Sequence, residues 1–313
     1  ICIPQETLVA AVELTGRHMN GPFPDKAIDI LGLAVRRVDE KNKRLAQPLD
    51  IVTVTEKDIQ KEISDATGIP LGEISENEGT LLRSLEKRME YYIKGQKEAI
   101  KAVSDAIRRS RTGMSDNSKP RASFLFAGTP NVGKTALAQC LGSELKSCIK
   151  IDVGQEFSRE FLINQVRKKP YSAFVCDNLE EASVATLRTI LEILRNGYIL
   201  DRYGHKTDFT NTMVVITTNI GSKAILDSTD KDDKAVIKKN VLNELNKCLG
   251  ETFVNQVDDI LVFNKLNSES FKDIIKIFVG SFERDMLKQG VKIKVDESVI
   301  NYISSVEINH KLG

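Results

Sequence analysis

The residues best equipped for chemistry in this sequence are Gly128-Thr129-Pro130-Asn131-Val132-Gly133-Lys134-Thr135. They read GxxxxGK[ST], with the apolar run Phe124-Leu125-Phe126-Ala127 before them and a helical pattern from Lys134 onward, the strand–loop–helix context of a phosphate-binding loop. Such a loop points successive backbone N–H groups inward at a helix N-terminus, so phosphate oxygens meet donors without needing a side chain. Gly133 is expected to let the backbone approach closely. Lys134 is expected to reach the β- and γ-phosphates, and Thr135 to place its hydroxyl on Mg²⁺. Thr129, Pro130, Asn131, Val132 and Ala136 complete the predicted nucleotide-binding stretch. The competing reading is a glycine-containing strand–helix turn with a surface lysine, and the agreement of all three local patterns counts against it.

Splitting a nucleoside triphosphate takes more than a cradle. It takes an acid to hold Mg²⁺, a carboxylate to position or deprotonate the attacking water, and positive charge at the γ-phosphate. Asp177 ends the hydrophobic run Ala173-Phe174-Val175-Cys176 and fits the Mg²⁺ acid. The base is expected at the next position, which is Asn178. A neutral amide orients water but cannot take its proton. Glu180 and Glu181 follow. They read as acids in the first turn of a helix, and either substitutes for the base only if the turn bends it back. Asn219 closes the run Met213-Val214-Val215-Ile216-Thr217-Thr218, where its amide could meet the water or the γ-phosphate; a plain turn residue before Gly221 is the other reading.

These groups must be positioned by strands and helices. Five apolar runs read as strands: 124–127, 149–153, 172–177, 213–218 and 259–263. Helical patterns between them, at 184–194 and 234–249, make the fold class α/β, a parallel sheet with helices on both faces. Ligand then binds beyond the carboxyl ends of the strands, where Gly128, Asp177 and Asn219 all fall. Upstream, residues 6–42 read as helices. One face carries Leu8, Val9, Val12 and Leu14, and another carries Ala27, Ile28, Ile30, Leu31 and Val35. Residues 41–48 read as a polar connector. Thr55 and Asp58 pair as a helix start, and that helix should end near Gly68-Ile69-Pro70. Leu82, Leu85, Met89 and Tyr92 step at helical spacing. A stronger helix, 98–112, turns Ala99, Ile100, Val103 and Ile107 inward. Its Arg108, Arg109 and Arg111 suit a helix C-terminus, with a phosphate contact as the alternative. Past Leu266, a helix at 268–286 carries Phe271, Ile274, Ile275, Ile277 and Phe278; then come a short alternating strand at 291–295 and a helix at 297–305.

Composition bounds the possibilities. At 313 residues the chain holds two domains, or one with appendages. Lys plus Arg is 45 against 44 Asp plus Glu, a balance that argues against a general nucleic-acid or membrane-surface binder. No apolar run approaches membrane-span length. Ile1 does not open a signal peptide, and both ends read as cuts in a longer chain. The five cysteines lack a CxxC pair and read as buried thiols of a reducing compartment, cytosol or organelle.

Several stretches, in order, resemble the second ATPase module of the Clp/ClpB class of AAA+ unfoldases, the class of ClpA, ClpB and ClpC. Phe23-Pro24-Asp25-Lys26-Ala27-Ile28-Asp29 is similar to the helical lid that closes the first module, and Ala66-Thr67-Gly68-Ile69-Pro70 to the linker, without its aromatic. Gly95-Gln96 and the helix after it resemble the segment that packs on adenine, which adds Ile93 to the predicted nucleotide contacts. Lys169-Pro170-Tyr171-Ser172 leads into Walker B at Asp177, Asp208-Phe209-Thr210-Asn211-Thr212 leads into sensor 1 at Asn219, and Phe253-Val254-Asn255-Gln256-Val257-Asp258 resembles the arginine-finger stretch. The resemblance implies a three-layer AAA+ sandwich with helical lids at both ends. Residues 1–65 would be the end of a preceding module and linker, 66–265 the large nucleotide-binding domain, and 266–313 the start of the small lid. It also implies ATP/ADP and Mg²⁺ as ligands, a homo- or hetero-hexameric ring with Clp-type subunits, and protein clients.

The departures are specific. Asn178 stands where the family has the Walker B glutamate, and Gln256 where it has the arginine finger. The aromatic-Val-Gly pore loop is absent between Glu156 and Lys169, where Phe157 and Phe161 read as core. No Ile-Gly-Phe-type loop for a peptidase ring follows Asn219, and the long middle domain is missing. Sensor 2 would begin at Gly313. Three expectations compete: a module that binds nucleotide but hydrolyses it poorly; an active ATPase-unfoldase with a substitute acid; and a scaffold that binds no nucleotide.

Overall fold

The computed structural model describes residues 1–19, 21–45, 51–69, 76–111, 118–154, 158–227 and 234–305. Pro70, Thr112, Glu156, Phe157, Gly313 and the second half of the 41–48 connector lie outside them. The amino-terminal helices are α1 (Gln5–His18), α2 (Asp25–Lys43), α3 (Glu56–Thr67), α4 (Glu76–Arg83), α5 (Leu85–Tyr92) and α6 (Lys97–Arg111). The α/β succession follows: β1 (Ala122–Ala127), α7 (Lys134–Glu144), β2 (Cys148–Asp152), α8 (Arg159–Lys168), β3 (Ala173–Asp177), α9 (Val184–Asn196), β4 (Tyr198–Leu200), β5 (Lys206–Asp208), β6 (Met213–Thr218), α10 (Ser222–Leu226), α11 (Lys234–Leu249), α12 (Glu251–Val254) and β7 (Asp259–Val262). The helices α13 (Ser268–Lys288) and α14 (Glu297–Ser305) end the described chain.

Five strands make one parallel sheet in the order β2-β3-β6-β1-β7. β1, β3 and β6 are buried from end to end, as strands covered on both faces must be. Their side chains alternate between two cores. Phe124, Phe126, Ala173, Val175, Met213 and Val215 pack with Ile100, Val103 and Ile107 of α6 and Leu137 and Leu141 of α7. Leu125, Ala127, Phe174, Cys176, Val214 and Ile216 pack instead with α8, α9 and α11. This is the expected three-layer α/β sandwich, and the five strands sit within two residues of their sequence positions.

Other expectations need correction. β4 and β5 form a separate antiparallel hairpin that apolar periodicity does not reveal, because each strand is three residues long. The segment 291–295 is not a strand: among the described residues no neighbour completes a ladder, and the Val295 N–H donates to Glu283 Oε1 at 2.8 Å. In α1 the buried face is Thr7, Ala11 and Thr15, with Leu14 packed at its edge, whereas Leu8, Val9 and Val12 are exposed. Small residues let α1 come close to α3, and Thr7 Oγ1 donates to the Val54 carbonyl at 3.0 Å. In α2, Ala27, Ile30, Ala34 and Val38 face inward while Ile28 is exposed. Ser84 interrupts the helical run between α4 and α5; Leu85 and Met89 are buried, but Tyr92 and, further on, Phe278 are exposed. Phe161 is 53% exposed and not core. All five cysteines are free, but only Cys176 is buried; Cys2 and Cys248 are exposed.

The helix-boundary readings fare better. The Asp58 carboxylate accepts from Thr55 N at 2.9 Å and Thr55 Oγ1 at 2.7 Å, and α3 stops at Gly68 in the left-handed region. Arg108 settles into ion pairs with Glu86 and Asp105, away from any phosphate role. Among the described residues no helix is long and apolar enough to cross a membrane.

Candidate functional site

The parallel register brings Gly128, Asp177 and Asn219 to one edge of the sheet. Ala127 pairs with Thr218, so β1 and β6 end side by side. The loop after β1 carries Asn131 with φ 58° and Gly133 with φ 103°, and α7 starts at Lys134. Space is not what demands glycine at 133, contrary to expectation: a Cβ there would meet only Ile93 Cγ2, at 3.9 Å. The positive φ demands it. At Gly128 the opposite holds, since a Cβ would stand 2.9 Å from Phe263 Cβ.

Lys134 is folded into this loop. Its Nζ donates to the Gly128 carbonyl (2.8 Å), the Thr129 carbonyl (2.6 Å) and Asn219 Oδ1 (2.9 Å). Burial lowers its pKa to about 8, although Glu180 and Asp177 pull it the other way. Thr129 and Val132 are buried, Pro130 is half-buried, and Asn131 and Ala136 face outward. Ile93 ends α5 buried against Gly133, and together with Ala136, Tyr92 and Gln139 it lines a hollow of about 1290 Å³ along the outer side of α7.

Asp177 is engaged through both oxygens. Oδ1 accepts from Thr135 Oγ1 at 3.0 Å and from Thr217 Oγ1; Oδ2 accepts from Lys150 Nζ at 2.8 Å. Burial pushes this carboxyl up, but hydrogen bonds from Lys150, Thr217 and Thr135 and the Lys150 charge outweigh it and hold the pKa below its usual value. The pairing of Thr135 with Asp177 brings together the two residues predicted to hold Mg²⁺. Among the described residues no three His, Cys, Asp or Glu side chains cluster as a metal site. One hydroxyl and one carboxylate suit Mg²⁺, which takes few protein ligands and completes its shell with phosphate and water.

Asn178 adopts the left-handed conformation, φ 62° and ψ 54°. Its N–H donates to Thr217 Oγ1 at 3.3 Å and its Nδ2 to Asp152 Oδ1 at 3.4 Å. A short 3₁₀ turn, Leu179–Glu181, then bends Glu180 back over the end of β6. Glu180 Oε2 accepts from Thr218 Oγ1 (2.8 Å) and Asn219 N (3.1 Å), and Oε1 accepts from Asn219 Nδ2 (2.5 Å). The structure thus decides between the two acids: Glu180 reaches the site, and Glu181 packs against Gly154 instead. Asn219 joins Lys134 to Glu180, which is more than a turn residue does.

Gln256 is not brought to this cluster. It follows α12 and precedes β7, whose Asp259 pairs with Phe124 near the amino end of β1. It therefore lies at the opposite edge of the sheet, out of reach of a phosphate on its own loop. Two residues that were not among the predicted contacts adjoin this cluster, although Gln96 lay in the stretch that resembles the adenine-packing segment. Lys150 sits on β2 opposite Val175, one diagonal step from Asp177. Gln96, 1% exposed, donates to the Val132 carbonyl (3.2 Å) and the Asn264 carbonyl (2.9 Å) and accepts from Asn264 N (3.0 Å). A glutamine following Gly95 at a helix start was the sequence hint for Gln96.

Comparison with known proteins agrees with this geometry. Residues 149–260 match the AAA domain (Cdc48 subfamily). The chain is 28% identical over 398 residues to the ATP-dependent Clp protease ATP-binding subunit ClpC of Staphylococcus aureus, covering 100% of this chain and 49% of that protein. It is 32% identical over 283 residues to the chaperone protein ClpB of Rickettsia prowazekii, covering 83% of this chain and 33% of that one. A closed-state reconstruction of Hsp104 with ATPγS and FITC-casein superposes with a TM-score of 0.85 at 26% identity, over 99% of this chain and 57% of that chain. The chain spans about half the length of the ClpC relative that it matches throughout. Sheet order and the loop at the carboxyl end of β1, taken with these likenesses, give the chain the AAA+ fold and make it similar to Clp/ClpB-type chaperones.

Proposed function

We propose that this chain is the nucleotide-binding module of a Clp-type protein-unfolding chaperone or protease regulatory subunit, one that binds Mg-ATP and hydrolyses it slowly or not at all. The observation that carries the binding half is the convergence of buried Lys134, Asn219 and the Thr135–Asp177 pair on one sheet edge. Lys134 and the loop N–H groups would hold the β- and γ-phosphates. Ile93 and Ala136 would offer an apolar wall to the base. Thr135 and Asp177 would hold Mg²⁺, which neutralises phosphate charge when bound. The slow-hydrolysis half rests on Asn178, whose amide is turned to Asp152, and on the glutamine at 256 in place of a cation. The Hsp104 neighbour, solved with ATPγS and casein, supports nucleotide and protein client as ligands, in a ring of Clp-type subunits.

The domain reading follows the cores. One cluster runs from Ala11 to Ile63, supporting a preceding-module end at 1–65. Two others run from Ile69 to Phe263, supporting a large domain at 66–265 and the start of a lid at 266–313. Titration with Mg-ATP by calorimetry, paired with a turnover assay on the ring-forming protein, tests the proposal: binding with turnover near background supports it, and no binding at millimolar ATP leaves only a scaffold. A second reading has its own support. Glu180 accepts two hydrogen bonds from Asn219 and one from Thr218 Oγ1, which fix its carboxylate beside Asn219, where it would orient water. Robust turnover that Glu180→Gln abolishes would establish that reading over the first.

A further inference from the structure

Lys150 has no part in the phosphate loop, yet it reaches the acid beside it. β2 is the edge strand of the sheet, and its pairing sets Lys150 opposite Val175 and Asp152 opposite Asp177. Lys150 and Asp177 are therefore diagonal neighbours on one face, a separation that a long side chain spans. The ammonium takes Asp177 Oδ2 at 2.8 Å while Thr135 and Thr217 take Oδ1. Asp152, two residues along β2, does not compete for it, because Asp152 Oδ1 accepts from Gly154 N (3.2 Å) and Asn178 Nδ2 (3.4 Å). The neutral amide at 178 matters here: a carboxylate in its place would face Asp152 without a hydrogen to donate and would repel it.

From this arrangement we infer that Lys150 is the built-in counter-ion of Asp177, so that the module holds ATP nearly as tightly without Mg²⁺ as with it. The inference rests on the nucleotide-binding reading above. A metal-free triphosphate brought against a bare carboxylate is repelled, and Mg²⁺ ordinarily removes that repulsion. A lysine already paired with the carboxylate removes it from the protein side. The site then tells ATP from no ATP but barely tells Mg-ATP from free ATP.

Calorimetric titration of the full chain with ATP, in excess Mg²⁺ and in EDTA, tests this. Wild-type affinity should change by less than about threefold between the two, whereas Lys150→Met should lose at least about tenfold in EDTA and keep its affinity in Mg²⁺. Lys150→Arg should behave as wild type. Tenfold weaker wild-type binding in EDTA would overturn the inference while leaving nucleotide binding intact, as would Lys150→Met binding as tightly as wild type in EDTA. Failure of wild type to bind under either condition would sink the nucleotide-binding reading first. Lys150→Met leaves the largely buried Asp177 carboxylate without its cation, so its melting temperature is measured alongside, and the wild-type arm decides the question without the variants.

Discussion

The two ends of the parallel sheet use polar side chains differently. At the carboxyl ends, Lys134, Asn219 and Glu180 bond to one another, and Asp177 takes Thr135, Thr217 and Lys150. At the amino ends, polar side chains tie down backbone: Asp258 Oδ2 accepts from Ser123 N and Ser123 Oγ, both at 2.8 Å. Arg121, stacked on Tyr171, donates to the Ser110 carbonyl at 2.7 Å and to Asn211 at 2.8 Å. The first arrangement concentrates charge that a phosphate ligand can reorganise; the second closes the fold. Gln256 belongs to the second end by position, away from the loop of its own chain.

The sharpest way to break this contrast is to supply, at both ends, the groups on whose absence the slow-hydrolysis proposal rests. Asn178→Glu with Gln256→Arg should raise turnover of the assembled protein by about 10³-fold or more, since an arginine finger alone is worth on that order in phosphoryl transfer. Turnover that stays at background would mean something other than these two positions limits it. Next in size is Lys134→Met, which should weaken ATP binding by about 10- to 100-fold, the worth of one or two hydrogen bonds to charge. The same lysine gives a pH dependence. Its pKa in the protein is lowered to about 8, and only the protonated form attracts phosphate. Affinity should therefore be full below pH 8 and fall as pH rises through it, with Lys134→Met flat over that range by calorimetry. At the other end, Asp258→Ala should cost about 1–2 kcal/mol in urea unfolding with ATP affinity unchanged. Smallest of all, Gln256→Ala should stay within about 0.5 kcal/mol, because among the described residues its side chain joins neither a ladder nor the core.

The sheet was legible because strands covered on both faces are nearly continuous apolar runs, and the loop because its glycines, lysine and threonine stand at fixed spacing. What escaped depended on distance across the fold. Lys150 alternates with Ile149 and Ile151 as any outward residue of an edge strand would, and only the β2–β3 register turns it into a partner of Asp177. Glu180 read as a helix-start acid; a left-handed Asn178 followed by a single 3₁₀ turn redirected it. In α1 the misassigned face has a plain cause: hydropathy ranks Val12 above Ala11, but close helix packing selects the small residue and leaves the larger ones outside.

The amide of Gln96 touches two segments far apart in sequence, the loop at Val132 and the chain leaving β7 at Asn264. Any ligand that drags the Val132 carbonyl must also tug on Asn264, four residues before α13 begins. One buried glutamine therefore ties the loop at Val132 to the chain that leads into α13, a connection that does not run through the sheet.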